Sequence, residues 1–184
     1  MSTSLMIWIG AAVLLFWSVG AYNRLVRLRS EAKASFAALD AEWTLQVALV
    51  QATLPTDEAR AASKFDGANA FWGGLQGAAD QVAASLAVAR NRPLEPERIA
   101  ALQAAQDVLA MAWERAERDD AHDLAGSRLP ESVTATRTQL AAQARVAGDQ
   151  FNLAVVRYND AIRQFPAVLL AWLFSFKPGR GFQA

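Results

Sequence analysis

The chain has 184 residues, of which 53% are hydrophobic, with eighteen basic and eighteen acidic side chains and no cysteine. This length and composition are typical of about one domain with enough apolar side chains for a real core, so disorder throughout is excluded. The balanced charge gives no support to a global attraction to nucleic acid, and we predict no nucleic-acid partner. Without cysteine, this chain has no disulfide, no thiolate metal site and no cysteine nucleophile.

Residues 5–21, LMIWIGAAVLLFWSVGA, form an uncharged leader. Seventeen residues in an α-helix reach roughly 25 Å, which is just enough to cross the hydrocarbon core of a bilayer. Trp17 and Tyr22 stand near its C-terminal end, and such amphipathic rings favour the headgroup level of a membrane. We therefore predict a retained transmembrane anchor over residues 1–21.

Two other interpretations of the leader stay open. A cleaved signal peptide would use Val19 and Ala21 as its small-residue cleavage pattern, but the leader lacks the basic n-region of such peptides. A helix buried in the protein's own core would need other segments to cover all its sides. Because Arg24, Arg27 and Arg29 follow the leader, the positive-inside bias predicts an outer N-terminus and a cytoplasmic body, with a periplasmic body as the alternative.

Residues 22–165, the body of the protein, contain long segments with apolar side chains at three- and four-residue steps, a spacing typical of helices that bury one face. No segment shows sustained period-two alternation, so a sheet is not expected. The six prolines fall between the segments, as expected when helix interiors exclude proline. We predict an all-α fold in which the leader continues into an elongated antiparallel four-helix bundle.

The same spacing predicts which side chains form the core of each helix. The first helix carries Leu25, Leu28, Ala32, Phe36, Leu39, Trp43, Val47, Val50 and Leu54. The second starts from a Thr56 cap and carries Phe65, Ala68, Trp72, Leu75, Ala79, Val82, Leu86 and Ala89. The third runs from Glu95 or Pro96 to about Asp120 with Ile99, Leu102, Ala105, Leu109, Ala112 or Trp113, and Ala116. The fourth begins near Pro130 and carries Leu140, Ala144, Ala147, Phe151, Ala154 or Val155, Tyr158, Ile162 and Phe165.

Residues 166–184 form an apolar and basic tail that the bundle topology returns to the membrane. Its apolar run is too short to span a bilayer, so it either lies in the interface or caps the open end of the bundle. Basic side chains collect at the same end, although ordinary solvated helix ends are the plainer interpretation of them. The predicted membrane-surface residues are Arg24, Arg27, Arg29, Arg90, Arg92, Trp172, Phe174, Phe176, Lys177 and Arg180.

The sequence contains few residues that could form a catalytic site. His122 is the only histidine and lies in the stretch DDAHD, residues 119–123. A di-iron bundle needs histidines on two helices, and a serine triad needs a strand-turn-helix setting that Ser127 lacks. We predict no cofactor, no metal site and no enzymatic activity, and we interpret DDAHD as a solvated helix end.

Two groups of residues, one near each end of the chain, form a pair of motifs that we consider jointly. Near the start, Leu25-Val26 and Leu28-Arg29 follow Tyr22-Asn23, with Asp40 further on; near the end, Phe151-Asn152 precedes Tyr158-Asn159, and Phe165-Pro166 follows. In order and distance they resemble the opening and closing patterns of the LemA family, with Ser175 where that family has glycine. The motif residues to which we assign a structural role are Tyr22, Asn23, Leu25, Arg29, Tyr158, Asn159, Phe165 and Pro166.

The resemblance implies a single-pass protein of the bacterial inner membrane with a short outer N-terminus and a helical-bundle body. The LemA family has no established catalytic activity, and its genes often neighbour those of membrane proteins with a TPM domain, which implies such a protein as a partner. We expect a non-enzymatic scaffold or interaction protein, a homo-oligomer or a partner of another membrane protein, with Trp113 and Leu124 as exposed contacts. The alternative is a lipid-binding or membrane-shaping protein that acts through its basic end and its tail.

Overall fold

The prediction of an all-α fold is confirmed. The computed structural model describes residues 2–55, 66–121 and 129–182, and within these ranges it contains five helices and no strand. The helices are α1 (Ser2–Thr53), α2 (Asp66–Asn91), α3 (Pro96–Ala121), α4 (Glu131–Arg163) and α5 (Ala167–Leu173). The predicted Thr56 cap and the start of the second predicted helix lie outside the described residues.

Prolines delimit the helices as predicted. Pro96 occupies the first position of α3, where its missing N–H has no helical acceptor in any case. Pro130 and Pro166 immediately precede α4 and α5. Pro55 and Pro93 lie in the links after α1 and α2, so no proline occupies the interior of a described helix.

The predicted core stripes are buried almost throughout. In α1 every predicted position from Ala32 to Val50 is buried, while Leu28 and Leu54 are half-buried. In α2 and α3, all predicted positions whose side chains are described are buried, apart from Ala112, because Trp113 takes the inward position. One continuous apolar cluster joins these side chains, and a smaller cluster surrounds Leu25 at the end nearest the leader.

The α1 helix packs mainly on α4 and also on α2, and α2 packs mainly on α3. Three contacts mark the α1–α4 pair along its length. Arg24 donates from Nη1 to Oε1 of Gln164 at 3.1 Å, the rings of Phe36 and Phe151 meet edge to face at 5.7 Å, and Gln46 donates to the carbonyl oxygen of Leu140 at 3.3 Å.

The leader is the N-terminal part of α1, and the helix crosses residue 21 without a break. This helix is long and apolar enough to cross a membrane, and none of its most apolar stretch is buried. Among the described residues only those at the α4–α5 junction contact the end of the leader, and none of its most apolar stretch is buried, so the interpretation as a core helix is wrong. A membrane span and a signal peptide both remain compatible with this finding.

Two predicted positions are corrected by the structure. Phe165, predicted to face the core, is 71% exposed, because α4 ends at Arg163 and the next residue, Gln164, is extended. Trp113, predicted as an exposed contact, is 4% exposed, and the guanidinium of Arg137 lies over its ring, 5.6 Å from the centroid. Leu124, the other predicted contact, lies outside the described residues.

Candidate membrane-surface site

The short helix α5 lies against α1 through its small side chains and exposes its large ones. Ala167 and Ala171 are buried in the cluster around Leu25. Because alanine side chains are small, α5 can lie close to α1, and it covers the part of α1 around Leu25. Its other face is apolar yet uncovered, and Trp172 is 83% exposed and Leu173 63% exposed. The tail therefore combines features of both interpretations, a cap on one face and an apolar surface on the other.

A layer of aromatic rings adjoins the end of α5. The ring of Tyr22 lies 5.0 Å from that of Phe174 and 6.0 Å from that of Phe176, measured between centroids. The guanidinium of Arg29 lies over the Phe176 ring at 5.7 Å, within the range of a cation–π contact. Two residues of the opening motif, Tyr22 and Arg29, thus contact the tail directly.

Helix α5 ends in a Schellman motif built on Ser175. The N–H of Phe176 donates to the carbonyl oxygen of Ala171 at 2.9 Å, and the N–H of Ser175 donates to that of Trp172 at 3.4 Å. Ser175 has a φ of 55°, which is the left-handed region that favours glycine. The backbone of this turn directs the chain away from α5 and back along α4.

Residues 177–182, which we call the strap, run along α4 and are held by its side chains. Asn159 donates to the carbonyl oxygen of Gly179 and accepts from its N–H, both at 2.8 Å. Asn152 does the same with Phe182, at 3.0 and 2.7 Å. The hydroxyl of Tyr158 donates to the carbonyl oxygen of Lys177 at 3.0 Å. Side chains of α4 thus satisfy backbone groups that have no sheet or helix to pair with.

Apolar contacts and close packing hold the strap as well. The ring of Phe182 lies 4.8 Å from that of Trp43 and 5.4 Å from that of Phe151, between centroids. A Cβ added to Gly181 would come within 2.5 Å of Oδ1 of Asn152, so any side chain there would displace the amide that binds Phe182. Glycine at residue 181 therefore allows the Asn152 amide to bind Phe182 in this position.

Burial raises the pKa of the Tyr158 phenol above its ordinary value, and the nearby positive charge of Arg29 opposes this in part. A phenol is protonated at neutral pH even at its ordinary pKa, and the raised pKa extends this protonated state to more alkaline pH, so the hydroxyl keeps its proton to donate to the carbonyl oxygen of Lys177. Tyr158 therefore acts as a hydrogen-bond donor between α4 and the strap.

A groove separates the end of the leader from the α4–α5 junction. It encloses about 390 Å³ and is lined by Phe16, Trp17 and Gly20 on one side and by Gln164 and Phe165 on the other. The rings of Trp17 and Phe165 are 5.6 Å apart between centroids. The exposure of Phe165 thus has a local cause, since its ring contacts the leader instead of the bundle core.

Two of the predicted cations, Arg27 and Arg90, pair with acidic side chains of α1. Arg27 pairs with Glu31 on the exposed surface of α1, with 3.5 Å between Nε and Oε1. Arg90 is held further along α1, where its Nε lies 2.9 Å from Oδ1 of Asp40. Asp40 is eleven residues beyond Arg29, or roughly 16 Å along the helix axis. Arg90 therefore stabilises the α1–α2 contact and does not join the cations near the leader.

A basic pocket gathers three other predicted cations, Arg29, Arg92 and Lys177, together with Lys33. It encloses about 490 Å³ between α1, the α2–α3 link and the start of the strap, and its charged lining residues are Arg29, Lys33, Arg92, Glu95 and Lys177. Glu95 pairs with Arg98 at 2.5 Å and with Arg92 at 3.8 Å. Arg180, also predicted at the surface, is half-buried in the strap, outside the lining of this pocket.

The structure brings most of the predicted motif residues together at one end of the body. Leu25, Tyr158 and the buried face of α5 form one cluster, and Pro166 begins α5. Asn23 is exposed and its side chain bonds to no described residue. Asn152 stands in the closing pattern but was assigned no structural role, although its seven-residue spacing from Asn159 places both amides on the same face of a helix.

The described part of the chain contains no candidate metal site. No group of three histidine, aspartate or glutamate side chains there has the arrangement of a metal site. His122 lies outside the described residues. Asp120 accepts a hydrogen bond at 3.2 Å from the N–H of Leu129, a contact that joins the end of α3 to the chain leading into α4.

Comparisons of the chain with profiles of known protein families, with curated proteins and with solved structures return no match.

Replacing Asn159 by alanine should release the strap. The change removes both bonds to Gly179, and such bonds contribute about 0.5–1.5 kcal/mol each. We expect at least tenfold faster amide exchange in residues 177–182 and unchanged exchange in α1, measured by mass spectrometry on the full chain in detergent micelles. Asn23→Ala, at an exposed asparagine, is the matched control. Equal exchange in the two variants would contradict the role of Asn159.

Ser175→Gly should stabilise the turn after α5. A left-handed conformation costs a non-glycine residue roughly 1 kcal/mol, and glycine removes that cost. Exchange of the Phe176 amide should slow about fivefold in the same measurement. The control is Ser30→Gly, which places glycine in the interior of α1 and should destabilise it by about 0.5–1 kcal/mol. Faster exchange at Phe176 in Ser175→Gly would show that the serine side chain itself holds the turn.

Proposed function

We propose that this protein is a membrane-anchored, non-enzymatic helical-bundle scaffold or interaction protein of the LemA type. The observation that carries the proposal is the continuity of α1, in which an uncovered apolar leader and a buried core stripe belong to one helix. An apolar helix of this length is compatible with the bilayer because all its backbone groups bond internally. The body is then fixed to the membrane by the same helix around which it packs.

In this proposal the body is an elongated antiparallel four-helix bundle. Support comes from the contacts of the α1–α4 pair, since the end of α4 meets the start of the body at Arg24 and its first half meets Gln46. The short link between α2 and α3 supports the same topology for that pair, because Arg98 of α3 donates to the carbonyl oxygen of Val88 in α2 at 2.8 Å.

The proposed location is the bacterial inner membrane, crossed once, with the N-terminus outside and the body in the cytoplasm. Arg24, Arg27 and Arg29 within three turns of the leader favour this orientation. A periplasmic body is the alternative, and it would leave the contacts within the body unchanged.

The proposed partner is a second copy of the chain or another membrane protein, such as a TPM-domain protein. The outer face of α4 supports an interaction surface, since Val146, Leu153 and Val156 are each more than half exposed and their spacing places them on one side of the helix. The resemblance to the LemA family supports the TPM-domain partner.

Lipid binding or membrane shaping is the second candidate function, and the exposed apolar face of α5 favours it. Trp172 and Leu173 are largely exposed, and Lys177 of the basic pocket follows them closely in the chain. Rings of this kind favour the headgroup level, and each basic side chain near an anionic surface contributes about 1 kcal/mol of attraction.

The anchoring predicts that the full chain stays in the membrane with its leader intact. After alkaline washing of cell membranes, the protein should remain in the pellet and its intact mass should include residues 1–21. Val13→Lys combined with Leu14→Lys should release it, since each charge in mid-membrane costs about 2.5–3.5 kcal/mol. The matched control, Val146→Lys combined with Leu153→Lys, changes the body alone and should leave anchoring intact. A soluble protein that begins at Tyr22 would overturn the anchoring.

Orientation and partner are tested in the same cells. A phosphatase that is active only in the periplasm should be silent when fused after Ala184. Crosslinking followed by mass spectrometry should return one dominant partner or a homo-oligomer, and the α4 control variant should weaken that product. A clean monomer in the membrane would contradict the scaffold and leave the lipid-binding function.

A further inference from the structure

The basic pocket contains more positive charge than the described acidic residues neutralise. Arg29 and Lys33 come from α1, Arg92 from the α2–α3 link and Lys177 from the strap. No described acidic residue pairs with Arg29, Lys33 or Lys177. The one acidic residue in the lining, Glu95, pairs with Arg98 at 2.5 Å and more loosely with Arg92 at 3.8 Å. Cations from three separate segments therefore surround one cavity and outnumber its single acidic side chain among the described residues.

The donors of Arg29 remain available to a ligand. Its guanidinium contacts the Phe176 ring through a cation–π interaction at 5.7 Å, which orients the group without using its N–H donors. No described residue accepts a hydrogen bond from Arg29. A guanidinium in this state is suited to bidentate recognition of a phosphate, and the lysines add point charges to the same cavity.

The position of the pocket relative to the leader defines the source of the ligand. Arg29 lies eight residues beyond Ala21, or roughly 12 Å along α1. The headgroup layer on one side of a bilayer is about 5–8 Å thick, and long basic side chains extend several ångströms towards it. Lys177 follows almost directly after the exposed apolar helix α5. If α1 is anchored as proposed, the Arg29 side of the pocket thus comes within reach of phosphorylated headgroups.

We infer that the basic pocket formed by Arg29, Lys33, Arg92 and Lys177 binds a phosphate-bearing anion, supplied by a lipid headgroup or by a soluble phosphate compound. The anion bridges α1, the α2–α3 link and the strap and neutralises their mutual repulsion. Binding from a lipid headgroup rests on the proposed anchoring, whereas binding of a soluble phosphate does not.

The test uses the full chain in uncharged detergent micelles at constant ionic strength. Calorimetry measures its affinity for inorganic phosphate and for dihexanoyl phosphatidic acid, with dihexanoyl phosphatidylcholine as the zwitterionic reference. Lys33→Gln combined with Lys177→Gln should weaken binding at least tenfold. The ammonium groups of both lysines lack partners among the described residues, so the variants break no hydrogen bond or ion pair there. Arg157→Gln combined with Arg163→Gln removes the same charge from exposed positions of α4 and should change affinity less than twofold.

The arms of this test separate the sources of the anion. Binding of phosphatidic acid without inorganic phosphate identifies a lipid headgroup, and similar binding of both identifies a soluble phosphate. Equal losses in the two double variants would overturn the pocket in favour of general surface electrostatics, as would the absence of binding to either probe. Either failure leaves the alkaline-wash result untouched, so the anchoring and the pocket fail independently.

Discussion

The structure depends on one long helix that serves two environments. In α1 the apolar leader and the core stripe share an uninterrupted backbone from Ser2 to Thr53, roughly 78 Å at 1.5 Å per residue. Leu25, the first fully buried side chain, is four residues beyond Ala21, so the core begins about one helical turn after the leader ends. Whatever packs against Leu25 is therefore held next to the leader, and that partner is the end of α4 together with α5.

This constraint arranges the chemistry of that end in layers along α1. Phe16 and Trp17 face Phe165 across the groove, and one turn further Tyr22 contacts the rings of the tail. Beyond these rings lie the cations of the basic pocket. The order from apolar to aromatic to basic is also the order from the interior of a bilayer to its surface. The proposed anchoring and the inferred phosphate pocket both draw on this agreement.

The helices and most of their buried faces follow from the sequence because both depend on local periodicity and on proline. The stripe from Ala32 to Val50 needs only a constant period, and such a period is visible without any knowledge of the fold. Phe165 was misplaced because the spacing continues past the residue at which α4 ends. Ala112 and Trp113 both lie at the edge of the α3 face that points inward. Only the packed structure decides which of the two side chains is buried.

Contacts between distant segments were beyond prediction from one sequence. The strap has no regular structure of its own, and it is held by Asn152, Tyr158 and Asn159, which lie between 19 and 30 residues before their partners. Arg90 was assigned to the end near the leader because the offset between α1 and α2 is unknown until the helices pack. Its actual partner, Asp40, belongs to the opening motif, but the sequence gives no sign that the two residues meet.

The measurement that tests the continuity of α1 most directly is a distance across residue 21. Because the chain has no cysteine, Ile9→Cys combined with Ser30→Cys places two spin labels without any other reactive thiol. In lipid nanodiscs, electron-electron double resonance should give a narrow distribution centred near 32 Å, the length of twenty-one residues of α-helix at about 1.5 Å each. A broad distribution, or one centred well below that length, would mean that the helix breaks between leader and body and would contradict the account.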